Sequence, residues 1–125
     1  MTFRPKYKFW LETEDGYVLG EGSFEILRGI QEKGTLMASS QELHMSYRHA
    51  WGIVKQMEDN LGQAVLVTYK GGKDGGGGAE LTPMGTQLLQ LYVAFTEALN
   101  QAIADFELPE NAALTLLTNP SSEAS

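Results

Sequence analysis

The 125-residue chain has no cysteine, which excludes disulfides and thiolate metal sites. Histidine is nearly as scarce. His44 and His49 stand five apart, off the four-residue spacing that aligns two ligands on one helix face, so no metal site is expected. No apolar run approaches the roughly twenty residues needed to span a bilayer. The opening "MTFRPKYKFWLETEDG" also lacks the uninterrupted apolar core and small-residue cleavage site of a secretory signal. A soluble, cytoplasmic chain without a membrane partner is the expectation. Neither a nucleophile signature, nor a carboxylate pair in an apolar setting, nor a histidine with acid–base spacing occurs. The expectation is therefore a protein that is not an enzyme and carries no cofactor.

Positive charge is the other shortage: nine Lys and Arg face sixteen Asp and Glu, for a net charge of −7. That balance disfavours a general polyanion binder, but an average can hide a patch. Residues 1–43 hold five cations and seven acids, residues 44–78 four and three, and residues 79–125 none and six. Only the middle segment is not acidic. With 42% apolar and 20% charged residues, the chain has the composition of a folded domain with one hydrophobic core.

Local patterns give a run of elements. "KYKFWLE" alternates, with Tyr7, Phe9 and Leu11 on one side and Lys8, Trp10 and Glu12 on the other; "EDG" turns it toward "YVLGEG", predicting a β-hairpin. From Ser23 the spacing of Phe24, Ile26, Leu27 and Ile30 predicts a first helix, stopped at Gly34. "LMASSQEL" predicts a short second helix whose small Ala38, Ser39 and Ser40 allow a neighbouring helix close. After a tight break at His44 and Met45, Ser46 has the chemistry of an N-cap, and a third helix runs to about Leu61 before Gly62.

At 100° per residue Ala50, Val54, Met57 and Leu61 of the third helix fall within about 60° of one another, a core-facing stripe. Arg48, Gly52, Lys55 and Asp59 take the opposite side. Glycine inside a helix costs about 0.5–1 kcal/mol relative to alanine, so Gly52 marks either the close approach of another body or an incidental solvated position. Tyr47 lies nearer the core side, with burial and exposure both open, and Trp51 is expected in the core. "AVLVTY" and "AEL" predict two strands around the loop "KGGKDGGGG", and Thr82-Pro83 opens a last helix to about Phe106. In that helix Leu88, Leu91, Tyr92, Phe95, Leu99, Ala102, Ile103 and Phe106 recur at threes and fours for longer than one small core requires.

Helix, short helix, tight turn, helix and two-stranded ribbon is the winged helix-turn-helix plan, in which the third helix enters a major groove and the ribbon reaches the flanking backbone. The expected class is thus α+β, mainly α, with an N-terminal β-hairpin and a long C-terminal helix. Glycines at the ribbon tip allow positive φ and close approach to a phosphate, while Lys70 and Lys73 bring charge to it. A solvated hairpin loop that merely holds two lysines is the competing reading. A phosphate-binding loop is excluded, since "GGKDGGGG" lacks the GxxxxGK[ST] order and precedes a strand.

"MSYRHAWGIVKQME" followed by "GGKDGGGGAELTPMG" resembles the N-terminal DNA-binding domain of the ModE-type molybdate-responsive transcription regulators, related in plan to LysR-type regulators. The match covers about residues 6–105. The resemblance implies a homodimer held partly by the C-terminal helices of about residues 83–106, presenting its recognition helices to a palindromic operator in double-stranded DNA. It places Ser46, Tyr47, Arg48 and Lys55 on the DNA-facing helix and Lys70, Gly71, Gly72 and Lys73 on the wing. Residues 1–108 would form that domain, and 109–125 a partly disordered tail.

The chain also departs from this family. Oxyanion-binding domains follow this domain in members with a sensor, so no molybdate pocket is assigned, and a separate sensor protein is left open. Similar proteins have glycine where His44 stands in the turn. Asp74 lies in the wing, where it repels phosphate unless it turns away or pairs with Lys73. Arg48, Lys55, Lys70 and Lys73 give a dimer at most eight cations and a salt slope no steeper than about −7. The reading from another class is a winged module that lost DNA binding and meets a partner protein.

Overall fold

The computed structural model describes residues 2–70 and 77–106. The chain divides into two compact units: Lys8–Phe95, and a second that joins residues 2–7 to residues 96–106 among those described. In the first unit β1 (Leu11–Thr13) and β2 (Gly16–Leu19) form a hairpin, followed by α1 (Glu21–Lys33), α2 (Leu36–Glu42) and α3 (Tyr47–Leu61). A second antiparallel hairpin, β3 (Leu66–Tyr69) and β4 (Gly78–Leu81), pairs Leu66 with Leu81 and Tyr69 with Gly78. The last helix, α4 (Pro83–Asp105), opens with the Thr82 hydroxyl accepting from the Gly85 N–H at 3.0 Å. This is a winged helix-turn-helix, mainly helical with two small sheets, as the sequence pattern predicts.

The caps explain most boundaries. Gly34 and Gly62 end α1 and α3 in left-handed conformations, φ 80° and 78°, as their position after the last apolar residue predicts. α1 begins two residues before Ser23, because the Ser23 hydroxyl accepts from the Gly20 N–H at 2.9 Å and fixes the entry. The first hairpin is shorter than expected. Phe9 is half-buried between exposed Lys8 and Trp10, but Tyr7 is exposed as well, and residues 7–10 lie outside β1. Leu19 already opposes Leu11, and Gly20 turns the chain into α1, so no β2 residue remains for them.

The core of this unit is built on Leu19, Ile26, Leu27, Ile30, Val54 and Met57, each 0–1% exposed. Over it lies an aromatic stack: the Tyr92 ring sits 4.6 Å from both Phe9 and Phe24. On α4 the buried set is Gly85, Leu88, Leu89 and Tyr92, so the stripe runs through Leu89 rather than Leu91, which is 45% exposed. Spacing alone allowed either, since both lie three or four residues from other apolar positions. α1 and α2 meet at Gly29, whose missing side chain makes room for Ser39; the Ser39 hydroxyl donates to the Ile26 carbonyl at 2.8 Å. Among the described residues, no helix is long and apolar enough to cross a membrane. The expected tail lies outside the described residues beyond Phe106.

Candidate nucleic-acid interface

The turn between α2 and α3 aims the third helix, and its geometry is local. Leu43 closes α2; the His44 N–H then donates to the Gln41 carbonyl at 3.1 Å and the Met45 N–H to Ser40 at 3.0 Å. These two bonds leave His44 at φ 57°, a left-handed position that glycine occupies without strain. Left-handed backbone costs a non-glycine residue about 1–2 kcal/mol, part of which glycine loses again through its freer unfolded chain. His44→Gly is therefore expected to stabilise the domain by about 0.5–1 kcal/mol, read as a rise in thermal midpoint of several degrees.

Ser46 begins α3 as predicted, its hydroxyl accepting from the His49 N–H at 3.0 Å. Ala50, Val54 and Met57 are buried and Leu61 half-buried, whereas Arg48, Gly52, Lys55 and Asp59 are exposed, so the two faces fall as the 100° period requires. Tyr47 lies on the solvent side, 44% exposed. Trp51 packs against the core. The space around Gly52 is open, with nothing within 4 Å of where a side chain would begin.

The first hairpin flanks this face. Thr13 donates to the Asn60 carbonyl at 2.7 Å and Asn60 donates to the Tyr17 carbonyl at 2.7 Å, tying the hairpin to the end of α3. The resulting groove is lined by Tyr17, Arg48, His49, Gly52 and Gln56 among others. Residue types alone did not single out Tyr17, His49 and Gln56. The i, i+3, i+7 spacing of His49, Gly52 and Gln56 was the available signal for the last two.

Lys55 is less free than its sequence position suggests. Its Nζ lies 3.3 Å from Glu58 Oε1 and 4.7 Å from the centre of the Trp51 ring. Glu58, only 13% exposed, uses its other oxygen to accept from the Val65 N–H at 2.8 Å. One carboxylate thus joins the outer face of α3 to the start of the wing. Further along, the Tyr69 ring covers Gly78, and a second groove between wing and helices is lined by Thr35, Met37, Tyr47, Thr68 and Tyr69. Lys70 follows Tyr69 and is exposed; Gly71, Gly72, Lys73 and Asp74 lie outside the described residues.

Ion pairing sorts the remaining cations. Arg28 binds Glu25 and Glu32 at 2.6 and 2.8 Å, and Lys33 binds Glu42 at 3.2 Å. Hydrogen bonding and charge from Glu25, helped by Glu32, push the Arg28 guanidinium above its ordinary value. Among the described residues, Arg48 and Lys70 have no carboxylate within 4 Å, and no group of three or more His, Cys, Asp or Glu is placed to hold a metal ion.

No protein-family model matches the chain. It is 34% identical over 92 residues to the molybdenum-pterin-binding protein MopB of Rhodobacter capsulatus, 74% of this chain and 34% of that one. It is 31% identical over 104 residues to the DNA-binding transcriptional dual regulator ModE of Escherichia coli K12, 80% of this chain and 39% of that one. The chain thus spans well under half the length of these curated relatives. The crystal structure of a CbnR DBD–DNA complex matches with a TM-score of 0.51 at 21% identity, over 65% of this chain and 86% of that one. Element order, the capped third helix and the sequence likeness together make this a winged helix-turn-helix domain of the ModE type.

Proposed function

We propose that the chain is a sequence-specific DNA-binding transcription regulator that reads a palindromic operator as a homodimer, in the cytoplasm and without enzymatic activity. One observation carries the reading: α3 turns to solvent an open Gly52 and an Arg48 that has no carboxylate within 4 Å among the described residues, in a chain whose acids outnumber its cations. Arg48 is suited to a bidentate contact with guanine, and Tyr47 to a sugar or a thymine methyl. Ser46 holds the helix start, while Lys55, Lys70 and Lys73 take phosphates, with Gly71 and Gly72 allowing the wing to approach. The names of the relatives and the DNA complex that shares the fold support DNA as the partner.

A dimer through α4 is part of the proposal. Leu91, Val93 and Phe95 are 41–45% exposed on a helix of 23 residues, apolar surface that a second copy would remove from water. Molybdate or tungstate control would then depend on chemistry beyond residues 2–106, in the same protein or a separate sensor. Selection from random duplex DNA, followed by mobility shift at fixed salt, tests the reading. Arg48→Ala is expected to lose roughly 1–3 kcal/mol of discrimination per contact, about five- to 150-fold in the preference for the selected site. Equal preference in the variant would remove Arg48 from the reading helix. No enriched sequence at low salt would leave the protein-interaction module as the better reading.

A further inference from the structure

Among the described residues, the positive charge that ion pairing leaves free lies mostly outside the helix-turn-helix. Of the eight described Lys and Arg residues, Arg28, Lys33 and Lys55 sit within 4 Å of a carboxylate. Three of the other five, Arg4, Lys6 and Lys8, occupy alternate positions of one exposed segment. Residues 1–10 contain these three cations and no acid, whereas the rest of the chain holds six Lys and Arg against sixteen Asp and Glu. A segment of +3 is therefore attached to a remainder of −10. Its aromatic positions are anchored: the Tyr7 hydroxyl donates to Asn100 Oδ1 at 2.7 Å, and the Phe9 ring stacks on Tyr92. The cations alternate with those anchors and are left to solvent.

We infer that residues 4–8 form a second, sequence-independent nucleic-acid contact, in which Arg4, Lys6 and Lys8 neutralise duplex phosphates. The inference rests on the DNA reading above. Among the described residues none of the three cations has a carboxylate within 4 Å, and closely spaced phosphates are the anion to which a row of alternate cations is matched. Arginine and lysine at such positions position a protein on a duplex without reading bases. The chain would then have more phosphate contacts than the helix and wing supply, and a steeper salt dependence.

The experiment compares the parent chain with Arg4→Gln/Lys6→Gln/Lys8→Gln, by fluorescence anisotropy on a selected duplex and a scrambled duplex between 50 and 200 mM salt. Because the three side chains are exposed, the variant should keep the parent's circular dichroism and melting midpoint. Three lost phosphate contacts reduce the log–log salt slope by up to ~2.7 per chain, so the variant's deficit should shrink up to ~40-fold across that salt range. The deficit should be equal on both duplexes, and Lys6→Arg/Lys8→Arg should bind as the parent does. A parent that binds with a slope the triple variant leaves unchanged overturns the inference while the DNA reading stands. A loss confined to the selected duplex overturns its sequence-independent character. A parent that binds neither duplex at 50 mM salt overturns both.

Discussion

Truncating Tyr92 to alanine is expected to remove about 3–5 kcal/mol of stability, most of what a small domain has to lose. The ring is 8% exposed and lies 4.6 Å from Phe9 on one side and from Phe24 on the other, at interplanar angles of 17° and 24°. Its loss opens a cavity bounded by two aromatic rings, and each stacked pair adds roughly 0.5–1.5 kcal/mol beyond area burial. Collapse fills the gap only in part, because Phe24 is fixed on α1. Urea unfolding followed by circular dichroism should show the midpoint falling to low denaturant or the native baseline disappearing. A change under 1 kcal/mol would mean that the stack contributes little.

The second large effect is expected at Gly85, in the first turn of α4. A side-chain carbon there would run into the Val65 carbonyl oxygen, with the Leu81 Cβ 3.3 Å away. The obstacle is backbone, and it is held: the Val65 carbonyl accepts from the Thr82 N–H at 2.9 Å, and the Thr82 hydroxyl donates to Ala64 at 2.8 Å. Gly85→Ala cannot be relieved by a rotamer change, so α4 must move away from the root of the wing. A cost of about 3 kcal/mol follows from overpacking, well above the 0.5–1 kcal/mol that alanine normally gains over glycine in a helix. If Gly85→Ala melts at or above the parent temperature, α4 and the wing do not meet as described.

The glycines show where reading from local pattern stops. Gly52 drew attention because it interrupts a helix, yet the chain leaves open space around it. Gly29 and Gly85, which no spacing marked, are among the positions where another part of the chain comes within contact. A glycine's sequence neighbours disclose its conformational cost, but not what lies opposite, since Ser39 and Val65 are brought there by chain reversals. Lys55 follows the same logic. Its place on the outer face was legible from the 100° period, as was its nearness to Trp51 and Glu58, four and three residues away on the same helix, while the bond from the Val65 N–H to Glu58 depended on where α3 meets the wing.

The sequence by itself determined the order of elements, the C-terminal ends of α1 and α3, the tight break at His44 and the division of α3 into a buried and an open face. Each of these depends on residues within about one helical turn, through caps, glycine φ and side-chain period. Only the tertiary structure decided that residues 7–10 lie outside β1, that Leu89 rather than Leu91 enters the core, and that Lys33 of α1 meets Glu42 of α2. Those outcomes depend on partners distant in sequence, and burial or ion pairing is a property of two surfaces, of which a local stretch specifies one.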